Sequence, residues 1–346
     1  MDRLKLLDAG LRVFDSRLPA VAPPLCVVTR YRASTCRLCL DVCPTEAITT
    51  TPWLRVDSQR CTSCGACAAR CKTGALSFVS RARRIRERLH EAREASSVRA
   101  VFLCGTASVP DEAGEALDDD ESAVIVVPCL GALSVGDLVA PAAAGYSSLF
   151  LIDGGCLDCA DRSAGLAAGE AVGTAKEMLA RLLPGFAVRR VSAPAADRRP
   201  ALQAAVEAVG MSRRDLFAYV ANGVRRAAAE ASVADKPKVA SLHEQIPPPQ
   251  TRTWLTHDLG TLSRRGEGTI LSLPLALPFG RVIVSPACDG CGLCVRYCPH
   301  AALRPGGAET GAPVVADDER CTGCRLCVES CPRDALTIGL PAAQAW

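Results

Sequence analysis

The sequence is poor in aromatic side chains and histidine, with 7 Phe, 4 Tyr, 3 Trp and 4 His in 346 residues. His90, His243, His257 and His300 form no i, i+4 pair and no cluster with carboxylates, which excludes the helix-borne histidine metal sites and leaves them surface roles. No Gly-x-Gly-x-x-Gly turn and no Gly-x4-Gly-Lys loop is present, so the usual dinucleotide and phosphate cradles are absent. Charge of one sign is not in excess: the formal net charge is +3, which gives no support to nucleic-acid binding. Long hydrophobic runs are also lacking. The longest, around Ala123–Leu133 and Leu138–Ala144, are interrupted by Pro or charge and fall short of the roughly 20 apolar residues that span a bilayer. Direct membrane insertion is not expected. Met1–Asp15 carries Leu4, Leu7, Leu11 and Phe14 at helical spacing, with Asp2 and Asp8 where a signal peptide is basic or apolar. It reads as an amphipathic surface helix, and the protein as cytoplasmic, where thiols stay reduced and bind metals.

What the sequence has in abundance is cysteine, 20 residues in three zones. Cys26 and seven more between Cys36 and Cys71 form the first. Cys104, Cys129, Cys156 and Cys159 form the second, and eight between Cys288 and Cys331 the third. At about 150 residues per domain, the length allows two or three domains. The zones divide the chain into residues 1–80, 81–195, a helical segment with the Pro-rich linker at 196–279, and 280–346. The two ends read as an internal repeat flanking a different middle.

The C-terminal repeat is the regular one. Cys288, Cys291, Cys294 and Cys298-Pro299 are followed by Cys321, Cys324, Cys327 and Cys331-Pro332, each run spaced Cys-x2-Cys-x2-Cys-x3-Cys-Pro. Thiolates at i, i+3 and i+6 on a tight loop can each reach a different iron of one cubane, and Gly290, Gly292 and Gly323 relieve crowding there. Zinc in four-cysteine sites predicts paired Cys-x2-Cys with long gaps instead. Over residues 280–340 this pattern resembles the two-cluster bacterial ferredoxins. The resemblance implies an α+β ferredoxin-like domain in which Cys288, Cys291, Cys294 and Cys331 hold one [4Fe–4S] cluster, while Cys321, Cys324, Cys327 and Cys298 hold its neighbour.

The N-terminal repeat is imperfect. Cys61, Cys64, Cys67 and Cys71 form a complete run, with Lys72 where Pro usually stands. The first run has only Cys36, Cys39 and Cys43-Pro44, and Ala33 stands where a third early ligand belongs. Cys26 is the one spare cysteine nearby. The same resemblance assigns Cys26, Cys36, Cys39 and Cys71 to one cluster, and Cys61, Cys64, Cys67 and Cys43 to the other. The alternative is that Cys26 is a core thiol beside a [3Fe–4S] cluster, or that a non-cysteine ligand completes the site.

The middle begins with a basic helix, Ser80–Ala95, whose Arg and Glu residues interleave and read as a solvated connection. Apolar runs follow at Val98–Leu103, Ala123–Val127, Leu149–Ile152 and Ala187–Val191, with a helical stretch at Ser163–Leu183. They indicate a small parallel-sheet α/β domain covered on both faces. Cys104, Cys129 and the pair Cys156 and Cys159 follow successive strands, so four thiols are expected to converge at one sheet edge, where such folds place ligands. With Phe102-Leu-Cys104-Gly, Val127-Pro-Cys129-Leu-Gly131 and Asp153-Gly-Gly-Cys156-Leu-Asp-Cys159, residues 98–185 resemble the iron–sulfur delta subunit of methyl-viologen-reducing hydrogenase. That family implies a [2Fe–2S] cluster. Cys104 standing alone, without the family's second close cysteine, and the narrow Cys-x2-Cys pair leave another metal centre, free thiols or a Cys156/Cys159 redox pair open. Asp111–Glu121 reads as a solvated acidic loop. Ser212–Phe217 is similar to a twin-arginine motif but lies mid-chain, where Ser212 fits an N-cap.

Four [4Fe–4S] sites and one [2Fe–2S] site use every cysteine. With no acid–base constellation, the expectation is an iron–sulfur electron-transfer subunit, not an enzyme by itself, that relays single electrons within a multisubunit oxidoreductase. Partners implied are a flavoprotein, a molybdenum enzyme, or a component similar to hydrogenase or heterodisulfide reductase. The alternative is a thiol/disulfide or sulfur-compound reductase using Cys156 and Cys159, with Arg162 as the nearby cation.

Overall fold

The computed structural model describes residues 18–107, 121–192, 246–265, 277–307 and 311–339. The helix expected at Met1–Asp15, most of the acidic loop and the twin-arginine-like segment lie outside the described residues.

The N-terminal end is built from very short pieces: β1 (Ala20–Val21), α1 (Val27–Arg30), α2 (Leu38–Asp41), β2 (Ile48–Thr49), β3 (Arg55–Val56), α3 (Ala66–Arg70) and β4 (Leu76–Ser77). β1 pairs antiparallel with β4, and β2 with β3. Segments this short cannot close an ordinary apolar core. Cysteines supply much of the interior: Cys26, Cys64 and Cys67 are buried beside Val27, Val28, Val42, Leu54 and Leu76, with Cys36, Cys39, Cys43 and Cys71 packed around them.

The middle opens with α4 (Val79–Glu94) and β5 (Arg99–Cys104), continues through β6 (Ser122–Val127), α5 (Val135–Ala143), β7 (Ser148–Asp153), α6 (Arg162–Leu182) and β8 (Ala187–Ser192), and is joined by α7 (Gln250–Arg265). The four strands are parallel in the order β6-β5-β7-β8, with Phe102 opposite Ile125 and Leu151. Continuous apolar composition lets both strand faces be buried. The described helices pack on the face that carries Ala100, Phe102, Ile125 and Leu151, while Val101, Leu103 and Ile152 form a smaller cluster on the other. Ser134 caps α5 with a reciprocal box: its Oγ accepts from Asp137 N, and Asp137 Oδ2 accepts from Ser134 N at 2.9 Å.

Two readings of this region change. α4 is not solvated: Arg81, Ile85 and Leu89 are buried, because the helix lies across the sheet and the N-terminal cysteine loops. α7, placed by its proline run in the linker, puts Leu255, Leu259 and Leu262 at i, i+4 and i+7 into the sheet domain's core. Buried Asp258 accepts from Arg86 of α4 at 2.7 Å.

The C-terminal end repeats the short-piece plan with β9 (Arg281–Val284), α8 (Leu293–Tyr297), β10 (Leu303–Pro305), β11 (Val314–Ala316), α9 (Leu326–Glu329) and β12 (Leu336–Gly339). β9 pairs antiparallel with β12, and β10 with β11. The N-terminal core is the hub of the chain: Cys129, Ala164 and Ala167 of the middle and Leu326, Tyr297 and Cys324 of the C-terminal end all pack into it.

Candidate metal centres

The triplet loops share one backbone device. The residues just before and just after the middle cysteine adopt left-handed conformations: Ser63 and Gly65 around Cys64, Gly290 and Gly292 around Cys291, Gly323 and Arg325 around Cys324. Two such residues fold the loop back on itself so that its three thiols face one volume. At Gly323 only hydrogen fits, since a Cβ would stand 2.3 Å from the Phe279 carbonyl oxygen.

Three cavities result, each lined by four cysteines drawn from two loops. One is lined by Cys288, Cys291, Cys294 and Cys331. Another is lined by Cys61, Cys64, Cys67 and Cys43. A third is lined by Cys321, Cys324, Cys327 and Cys298. In every case the fourth cysteine crosses over from the other run. The crossing cysteines share a hydrogen bond, in which Ala47 N donates to Cys43 Sγ at 3.2 Å, Ala302 N to Cys298 Sγ at 3.2 Å and Ala335 N to Cys331 Sγ at 3.4 Å.

The remaining N-terminal cysteines come together as well. Cys39 lies within electrostatic reach of Cys71, Cys26 and Cys36, and burial with these neighbours pushes its thiol up to about 12. Cys26 is buried at the N-terminus of α1 and faces Cys36. The same causes, burial first and neighbouring thiols next, push Cys294 up to about 11 and Cys324 up to about 12. Packed thiols of this kind cannot all ionise in one volume unless positive charge joins them.

Among the described residues, no three His, Cys, Asp or Glu side chains converge tightly enough to hold a single metal ion. The thiols instead surround cavities, which suits a multi-iron cluster better than tetrahedral zinc. An orphaned cation fits the same reading. Arg81 is 2% exposed, its Nη1 donates to Ser63 O at 3.4 Å, and its Nε and Nη2 have no partner. It stands over the Phe78 ring within reach of Cys64, Cys67 and Cys61. Burying unsatisfied guanidinium N–H groups is costly unless an anion lies beside them, and a thiolate-bound cluster is such an anion.

The middle site sits at the carboxyl ends of β5, β6 and β7. β5 has β6 on one side and β7 on the other, so the crevice above it is a topological switch point. Cys104 ends β5 and Cys129 follows β6, and both are buried. Cys104 Sγ lies 3.2 Å from Thr106 Oγ1, and Gly131 N donates to Cys129 Sγ at 3.3 Å. Cys156 follows β7 on a turn through left-handed Gly155 and lies within electrostatic reach of Cys104. Cys104, Cys129 and Cys156 therefore form one group. Cys159 makes a separate contact, its Sγ accepting from Asp161 N at 3.4 Å.

The cation beside Cys156 is Arg190 of β8 and not Arg162, because the parallel ladder sets β8 next to β7. Arg190 Nη2 donates to Cys156 Sγ at 3.3 Å while its Nε donates to Asp153 Oδ2 at 2.7 Å. Burial, then the Asp153 carboxylate, pushes the Cys156 thiol up against the opposing pull of Arg190. Arg81 and Arg190 carried no local motif, and only the fold places them. His300, expected at the surface, is 1% exposed: its Nδ1–H donates to Ile246 O at 3.2 Å and Pro247 O at 3.1 Å, which ties the proline strap to the C-terminal end.

Residues 34–75 and 287–335 each match the family model of the 4Fe-4S dicluster domain. No curated protein and no solved structure matches the chain. The chain thus has two iron–sulfur dicluster regions, which support an electron-transfer role. No helix among the described residues is long and apolar enough to cross a membrane.

Proposed function

We propose that this protein is an iron–sulfur electron-transfer subunit that relays single electrons between components of a cytoplasmic multisubunit oxidoreductase and has no catalytic site of its own. The observation that carries it is the partition of twelve ferredoxin-type cysteines into three cavities, each completed by a crossing cysteine. The grouping of Cys26 with Cys36, Cys39 and Cys71 extends the same logic to a fourth. Sixteen thiolates then hold four [4Fe–4S] clusters, which supply one-electron storage at potentials set by hydrogen bonds, charge and solvent exposure. Cys104, Cys129, Cys156 and Cys159 would hold a [2Fe–2S] cluster at the switch point of a domain resembling the hydrogenase delta subunit. The buried guanidinium of Arg81 and the N–H groups of Ala47, Ala302 and Ala335 are the chain's own means of tuning its thiolates.

The thiol-reductase alternative needs an ionised, accessible nucleophile with a resolving partner. Arg190 beside Cys156 favours it, whereas the upward push on that thiol opposes it. Iron and acid-labile sulfide on anaerobically purified protein, with EPR of the reduced sample and thiol alkylation, test both readings. About eighteen iron atoms per chain, following from these cluster stoichiometries, and no titratable thiol are expected. About sixteen, with two reactive thiols in the middle domain, would move the assignment to thiol chemistry.

A further inference from the structure

The seam between the two ends has a composition that simple packing does not require. Tyr31 and Tyr297 meet with ring centroids 5.4 Å apart, and Arg30 Nη1 donates to the Tyr297 carbonyl oxygen at 3.4 Å. Thr35 Oγ1, next to Cys36, donates to Glu329 Oε1 at 2.7 Å, only two residues beyond Cys327. Cys324 packs against the N-terminal core, as Cys36 and Cys39 do. Largely buried Lys72 lies within electrostatic reach of Cys324 and Cys321 of the C-terminal end and of Cys36 of the N-terminal end, and of Arg325. Arg30, buried in the same seam, lies close to Cys298 and Cys324. Three cations therefore gather where two cysteine groups from opposite ends of the sequence approach. Like-charged thiolate centres repel, and interposed cations offset that repulsion at short range.

Resting on the reading above, we propose that the Cys26, Cys36, Cys39, Cys71 group and the Cys298, Cys321, Cys324, Cys327 group are redox neighbours across this seam, and that Lys72 is the cation shared by both. The remaining contacts extend the series at each side. Cys327 lies within reach of Cys294 of the outer C-terminal group, Cys39 neighbours Cys67, and Cys129 of the middle domain neighbours Cys64. The cysteine groups thus follow one another in series. The C-terminal outer group, with exposed Cys291, stands at one end and the middle-domain group at the other. The middle domain's cysteine group is a terminus of the array.

The test is an EPR-monitored redox titration of the full-length, cluster-loaded protein carrying Lys72→Gln or Lys72→Arg, with signals assigned through Cys36→Ser and Cys324→Ser. Removing a shared cation lowers the midpoint potentials of two clusters, one signal belonging to each end, and the Arg variant restores both. A shift confined to the N-terminal signal, which sequence adjacency to Cys71 alone would give, overturns the proposal. Should Lys72→Gln fail to load iron, the unaltered protein gives a second readout: a component of the magnetic broadening of the reduced C-terminal signal that disappears in Cys36→Ser, beyond the broadening from the outer C-terminal group. Absence of that component also overturns it. Iron content of the unaltered protein separates the two levels, since fewer than four cubanes per chain defeats the parent reading and leaves no seam to test.

Discussion

The Nη1 atom of Arg81 stands 2.7 Å from the position that a Cβ on Gly65 would occupy. The glycine is left-handed, at φ +86°, and flanks Cys64, so one hydrogen atom admits both the loop turn and the buried guanidinium. Gly65→Ala is expected to cost about 1–2 kcal/mol in backbone strain before any clash is counted, and to shift the urea midpoint downward. Arg81→Gln keeps the volume but removes the cation beside Cys61, Cys64 and Cys67. One cluster potential should fall in a redox titration while iron content holds; an unchanged set of potentials would show that Arg81 only packs.

Asp258 and Arg86 fasten α7 to α4 across the sheet domain. Asp258→Ala leaves a largely buried arginine without its carboxylate, a change that costs about 3 kcal/mol in comparable pairs. Denaturant unfolding of the single and double variants checks this. Arg86→Met with Asp258→Leu should recover most of the loss.

His300 makes the C-terminal end acid-sensitive. Burial lowers its pKa from 6.5 to about 4, so the unfolded chain takes up a proton before the folded one does. Stability is full above pH 6.5 and declines as pH falls toward 4, by about 3 kcal/mol for this group. Unfolding free energies of the unaltered protein and His300→Gln should diverge above pH 6 and converge near pH 4. Parallel pH profiles would contradict the assignment.

Gly165 of α6 controls the middle site. A Cβ there would lie 2.6 Å from Cys156 Cβ and 2.8 Å from its Sγ. Gly165→Ala is expected to displace Cys156 and abolish the middle domain's EPR signal, leaving the four ferredoxin-type signals intact. Iron analysis should show a loss of about two atoms, the content of one [2Fe–2S] centre.

The cysteine groups were readable because their geometry is local: three thiols at three-residue intervals on a loop need only left-handed turns to converge. The strands of the middle domain were readable for a similar reason, since continuous apolar runs mark strands buried on both sides. α7 was legible in part, as Leu255, Leu259 and Leu262 keep helical period, but the preceding proline run drew it into the linker. Arg81, Arg190 and Lys72 were not assignable. Each acts on a cysteine through space, and neither residue type nor spacing says which neighbour a long cationic side chain meets.

By itself, the sequence determined which cysteines share a loop and that the ends repeat one another, because ligand spacing and backbone reach are properties of a few consecutive residues. Only the tertiary structure decided how the two ends meet. It set Tyr31 against Tyr297, brought Lys72 within electrostatic reach of both Cys36 and Cys324, and placed Cys129 of the middle domain beside Cys64. The contacts of Tyr31 with Tyr297 and of Lys72 with Cys324 join residues more than 200 positions apart, and long-range packing alone brings such residues together.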